Sequence, residues 1–158
     1  MHVYLDRIDH GILAALQADG RMSNKDVAAR CGISPSTCLE RVRRLRSLGV
    51  IRGFHADVDP QALGIGVQAM IAVRLNHHAN VSFDKLCDEL IQVPEVLAVY
   101  LLAGAQDALV HVAVRDVSHL RDLLADSFTA RGDVLRVETH LIFEHARKSA
   151  LPEYDDEE

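Results

Sequence analysis

Seven residues in one short stretch have the types and spacing for recognition chemistry: Ser34, Ser36, Thr37, Glu40, Arg41, Arg43 and Arg44. Hydroxyls crowd its start and arginines follow along one helical face. Short hydroxyls can reach the hydrogen-bonding edges of bases, and guanidinium groups hold phosphates, so the set suits a DNA groove. In that role Ser36, Thr37 and Glu40 meet base edges and Arg41, Arg43 and Arg44 lie near phosphates. Arg43 or Arg44 could instead read a guanine through two hydrogen bonds. A merely solvated charged helix is the competing reading. Arg41 falls toward the packed side of the wheel, which leaves a salt bridge flanking the core as its alternative.

The stretch has the marks of a helix. Ser34 is placed to cap it, Pro35 stands where a missing N–H costs nothing, and Gly49 is positioned to end it. Cys38, Val42 and Leu45 form its packing stripe. Before it, Asp6 can cap a helix to about Ala18 through Ile8, Ile12, Ala15 and Leu16. Ser23 opens a second helix that packs through Val27, Ala28 and Cys31. The turn Gly32-Ile33-Ser34 then joins two helices as in a helix-turn-helix, whose second helix enters the major groove.

The chain carries a net charge of -6 over 158 residues, an unpromising total for a nucleic-acid binder. The distribution reverses that impression. Between Arg30 and Arg52 six arginines face one acid, Glu40, giving a local +5. Phosphates respond to that local field. The start of the chain lacks a basic segment leading into an apolar one, and the apolar run from Val96 to Ala105 is too short to span a bilayer, so we expect a cytoplasmic protein without membrane contact. Cys31, Cys38 and Cys87 lack metal-site or disulfide spacing and are expected as small core residues. His77-His78 have no third ligand spaced nearby, and no nucleophile–base set or phosphate-cradling loop is evident, so no metal, cofactor or enzymatic activity is expected.

Past Gly49 the β-branched and aromatic content of the segment ending at Asp59-Pro60 predicts a connecting strand. Periods then alternate. Strands are expected over 67–75, 96–103, 109–115 and 134–144, and helices from Ser82 to about Gln92 and from a Ser118 cap through Phe128. This is a β-α-β-β-α-β order, the ferredoxin-like arrangement, in an α+β protein. With both helices on one side, the other sheet face is expected to be bare and largely apolar, which usually marks an interface. The division predicted is 1–52 for the helix-turn-helix (winged-helix-like) domain, 53–64 for a linker strand, 65–147 for the βαββαβ domain and 148–158 for a disordered acidic tail.

The run Ser34-Pro35-Ser36-Thr37 through Arg41-Val42-Arg43-Arg44-Leu45, then Gly49-Val50-Ile51 and a close at Asp59-Pro60, followed by β-α-β-β-α-β, resembles the Lrp/AsnC (feast/famine) transcriptional regulators. Gly49 to Pro60 is particularly similar to the branch that regulates alanine dehydrogenase genes. The resemblance implies a homodimer formed through the second domain, assembly into octamers or similar rings, and an amino-acid-type effector bound between dimers. The partner would be double-stranded DNA at a loosely palindromic operator.

The family's Gly-x-x-Asp loop corresponds to Gly104-Ala105-Gln106-Asp107, with Gln106 where many members carry an aromatic residue. A zwitterionic ligand needs an acceptor for its ammonium group, which Asp107 can supply. It also needs donors for its carboxylate, which the backbone around Gly104 can supply. Tyr100 precedes the loop, and the Thr139 hydroxyl could join from across an interface. An ordinary hairpin turn using Gly and Asp conformationally is the alternative. Two rival functions stand beside the regulator: an enzyme on the second domain, which lacks an acid–base set, and an RNA-recognition module, for which the central strands offer only Tyr100 for stacking.

Overall fold

The computed structural model describes residues 3–76 and 83–154, and the chain divides into two compact units. The first contains the described residues up to Asp57 together with those from Ala146 onward. The second is Val58–His145.

Three helices build the first unit: α1 (Arg7–Ala18), α2 (Asn24–Cys31) and α3 (Pro35–Ser47). Each opens on a side-chain cap that satisfies helix N–H groups left without intrahelical partners. Asp6 accepts from the Ile8 and Asp9 N–H groups, both at 2.9 Å, and Asp9 in return accepts from the Asp6 N–H at 3.3 Å. Ser23 caps α2 through the Asp26 N–H at 3.2 Å, and Ser34 caps α3 through the Thr37 N–H at 3.1 Å. Gly32 reverses the chain between α2 and α3 with φ 68°, a conformation that penalises any side chain. The Val50 N–H closes back onto the Leu45 carbonyl at 3.0 Å around Gly49, the expected stop of α3. Ile12, Ala15, Val27, Ala28, Cys38 and Leu45 are the buried core of these helices.

The expected strand over 50–60 is absent. Residues 52–59 have no ladder, and the chain then enters a 3₁₀ turn, Pro60–Leu63, capped by Asp59. β-branched composition favours extended backbone, but a strand also needs a neighbour to accept its hydrogen bonds. The first unit takes in the chain from Ala146, and in the segment 148–158, expected as a disordered tail, the Leu151 N–H donates to Gln17 Oε1 at 2.7 Å and Glu153 pairs with His10.

The second unit is an antiparallel sheet of β1 (Val67–Leu75), β2 (Val96–Leu101), β3 (Ala108–Val114) and β4 (Val134–Ile142) in the order β2-β3-β1-β4. Helices α4 (Phe83–Leu90) and α5 (Val117–Leu124) supply Leu86, Leu90, Leu120 and Leu123 to a core with Ile71, Val73, Val110 and Val112. This is the expected β-α-β-β-α-β topology. Asp116, rather than Ser118, caps α5 by accepting from the His119 N–H at 2.8 Å, because helical backbone already begins at Val117. After α5 one π turn, Ala125–Thr129, carries Phe128 into the core, fully buried.

The face away from the helices is mixed rather than largely apolar. Strand alternation and register place Tyr100, Leu109, Ala72 and Glu138 in one cross-strand row and His111, Met70 and His140 in the next. His111 also shares a 2.9 Å hydrogen bond with Gln68. These polar residues alternate with the apolar core residues in β1, β3 and β4, so period-2 strands necessarily expose them on this face.

Candidate nucleic-acid interface and effector loop

The N-terminus of α3 gathers three hydroxyls. Ser34 Oγ lies 2.9 Å from Ser36 Oγ and 2.8 Å from Thr37 Oγ1, all on exposed residues. A helix N-terminus with outward hydroxyls presents donors and acceptors at the end that a groove meets first. Asn24 Nδ2 donates to the Pro35 carbonyl at 2.7 Å, fixing the start of α2 to the start of α3. Glu40 and Arg43 are exposed on the same helix, and Cys38 and Leu45 anchor its opposite stripe in the core.

The two remaining arginines of the set are engaged within the domain. Arg41 Nη1 donates to Asp6 Oδ1 and Oδ2 at 2.8 and 2.6 Å and to Asp9 Oδ1 at 2.9 Å. Arg44 Nη1 donates to Asp9 Oδ2 at 3.0 Å, and its Nη2 donates to the Tyr4 carbonyl at 3.3 Å. Of the two roles open to Arg41, the geometry gives it the salt bridge beside the core. The Arg41 hydrogen bond, more than any other influence, holds the Asp6 carboxyl below its ordinary value. Arg44 remains 47% exposed and faces outward beyond its anchor. Asp9, 1% exposed, is the residue that sequence reasoning missed. Its visible signal was a carboxylate three residues after the Asp6 cap, which is the capping-box spacing.

In the second unit the loop Gly104-Ala105-Gln106-Asp107 joins β2 to β3. The Leu102 N–H donates to the Asp107 carbonyl at 2.9 Å, closing the hairpin, and the Asp107 N–H donates to the Val73 carbonyl at 3.0 Å. Asp107 Oδ2 accepts from the Leu75 N–H at 2.8 Å, so this side chain ties the turn to β1. A carboxylate offers more lone pairs than that one bond uses. Gly104 and Ala105 are exposed, while Gln106 and Asp107 are half-buried.

Tyr100 and Thr139 do not join the loop on one surface. Tyr100 is on edge strand β2 in the open-face row, whereas Thr139 is on the other edge strand, β4, paired with Ile71 on the helix side. Three strand spacings of about 4.8 Å each separate them.

Among the described residues, no helix is long and apolar enough to cross a membrane, and no three His, Cys, Asp or Glu side chains group as metal ligands. His77 and His78 lie outside the described residues.

Comparison with known proteins matches both units. Residues 5–52 fit the winged helix-turn-helix DNA-binding family, and residues 68–151 fit the Lrp/AsnC ligand binding domain. The chain is 47% identical to the HTH-type transcriptional regulator AldR of Mycolicibacterium smegmatis, covering 90% of this chain and 84% of that one. It is 35% identical to the leucine-responsive regulatory protein of Escherichia coli K12, covering 92% and 88%. Among solved structures, MtbAldR superposes with a TM-score of 0.77 at 40% identity, over 94% of this chain and all of that one. A transcriptional regulator of Neisseria meningitidis in complex with L-Met superposes with a TM-score of 0.83 at 26% identity, over 94% and 97%. With a helix-turn-helix unit, a βαββαβ unit and relatives matched along nearly their whole length, the chain belongs to the Lrp/AsnC family of transcriptional regulators.

Proposed function

We propose that this regulator reads a loosely palindromic duplex operator with α3, and that an amino-acid-type effector held at the Gly104–Asp107 loop changes its assembly and so its grip on DNA. Ser36, Thr37 and Glu40 meet base edges, Arg43 holds phosphate, and Ser34 keeps the hydroxyl cluster in place. Arg44 reads a guanine edge from its anchored position, and Arg41 supports it from within the domain. A two-fold dimer built through the second unit sets two such helices about one DNA turn apart, near 34 Å, and dimers gather into rings such as octamers. The protein works in the cytoplasm, where its operator is.

The observation that carries the effector site is Gly104. A Cβ built there meets nothing within 4 Å, and the residue is not among those with positive φ. The open space at Gly104 lets a ligand approach the loop backbone three residues from Asp107, as the proposed site needs. Tyr100 and Thr139 lie at opposite sheet edges, so a ligand touching both would take them from different subunits.

The test is a gel-shift series with the full chain on duplex DNA and on single-stranded RNA, repeated with each common amino acid and with Asp107→Ala. Duplex preference is expected, with one amino acid changing the affinity in the parent and not in Asp107→Ala. Preference for RNA would overturn the DNA reading, and an amino-acid effect that survives Asp107→Ala would overturn the loop site.

A further inference from the structure

We propose that Asp9 is a positioning residue for DNA recognition, fixing from α1 the direction in which the outward N–H groups of Arg44 on α3 meet the duplex. The inference rests on α3 being the reading helix.

Asp9 is the one charged residue buried in the described cores. A buried carboxylate needs compensating donors, and it has three: Arg41 Nη1, Arg44 Nη1 and the Asp6 N–H. The Arg44 guanidinium is held on two sides, by Asp9 and by the Tyr4 carbonyl. Guanidinium is planar with five N–H donors in a fixed fork, so seating its inner edge sets the direction of the rest. Arg44 and its anchors Asp9 and Tyr4 line an open groove of about 410 Å³ together with Thr37 and Glu40, two of the base-edge candidates. An unanchored arginine must lose its rotamer freedom on binding, and these two bonds leave Arg44 less to lose.

The competing view makes Asp9 a carboxylate that only lowers the positive charge near DNA. The two views predict opposite signs. Removing a negative charge strengthens phosphate attraction, so on charge alone Asp9→Asn tightens binding to every duplex. If Asp9 positions Arg44, operator binding weakens even though the domain becomes more positive.

The experiment uses the full chain and an operator selected by the parent protein from a random duplex pool. Affinity for that operator and for a scrambled duplex is measured across a salt series for the parent, Asp9→Asn and Arg44→Lys. Lysine keeps the charge but lacks the fork. The operator-to-scrambled ratio is expected to fall about tenfold in both variants. Scrambled binding should stay equal or tighten in Asp9→Asn, and the salt slope should be unchanged in Arg44→Lys. A parental ratio in Asp9→Asn, with both duplexes tightening or weakening together, or a parental ratio in Arg44→Lys would overturn the proposal. Should Asp9→Asn fail to fold by circular dichroism, Asp9→Glu, which keeps the charge and displaces the carboxylate, decides by the same ratio. A parent protein that selects no duplex would instead overturn the reading of α3.

Discussion

His111 faces the open side of the sheet, where burial first and the nearby His145 second lower its imidazole below the ordinary value of 6.5. As pH falls below 6.5 the unfolded chain binds a proton that the folded chain refuses, so stability declines with acidification there. In His111→Gln the amide can still hydrogen-bond Gln68, and this variant is expected to flatten that decline; urea midpoints measured from neutral pH downward check it. Asp6 acts at lower pH. Its carboxyl is held below 3.8, so its contribution is present above that value and is lost as pH falls through the lowered one. Single residues were the least legible part of the chain. The arginines and their face could be read from spacing. That Asp9 would claim Arg41 and Arg44 could not, because those partners lie 32 and 35 positions away and meet only after α1 packs on α3.

At the scale of elements, capping chemistry was readable because it is local. Ser34, Pro35 and Gly49 marked α3, and Gly32 marked the turn before it, within the span over which a side chain can reach its own backbone. Ser34→Ala should therefore cost about 1 kcal/mol, measured as a lower urea midpoint. A matched serine at Ser36 gives the control, since Ser36→Ala removes a hydroxyl without removing the cap and should cost less. Elements that depend on distant partners were less legible. The segment 52–59 had the composition of a strand without a ladder to make it one. The open sheet face was misjudged because helices on one side say only that the other is uncovered, while register puts His111, Met70 and His140 in one row there. The effector loop was legible as Gly and Asp in a hairpin, but the Leu75 bond to Asp107 depends on β1 lying alongside.

For the whole molecule the two hydrophobic clusters share no residue, one centred on Ile12 and Leu45 and the other on Ile71, Val110 and Phe128. Separate cores predict two heat-absorption transitions in scanning calorimetry, with the smaller helical core melting first. Ile12→Ala should move mainly the lower transition and Phe128→Ala mainly the upper, each losing roughly 3 kcal/mol in its own unit. Equal shifts of a single transition in both variants would mean that the units unfold together.

Two of the six arginines between Arg30 and Arg52 already have carboxylate partners on or beside α1. Each such pairing removes a cation from the number of phosphates that arbitrary duplex can engage, and affinity for arbitrary duplex falls steeply with that number. The protein should therefore make short visits along a chromosome and leave most sites quickly. Its targets would be marked out by how long it stays on them, since arrival is much the same everywhere.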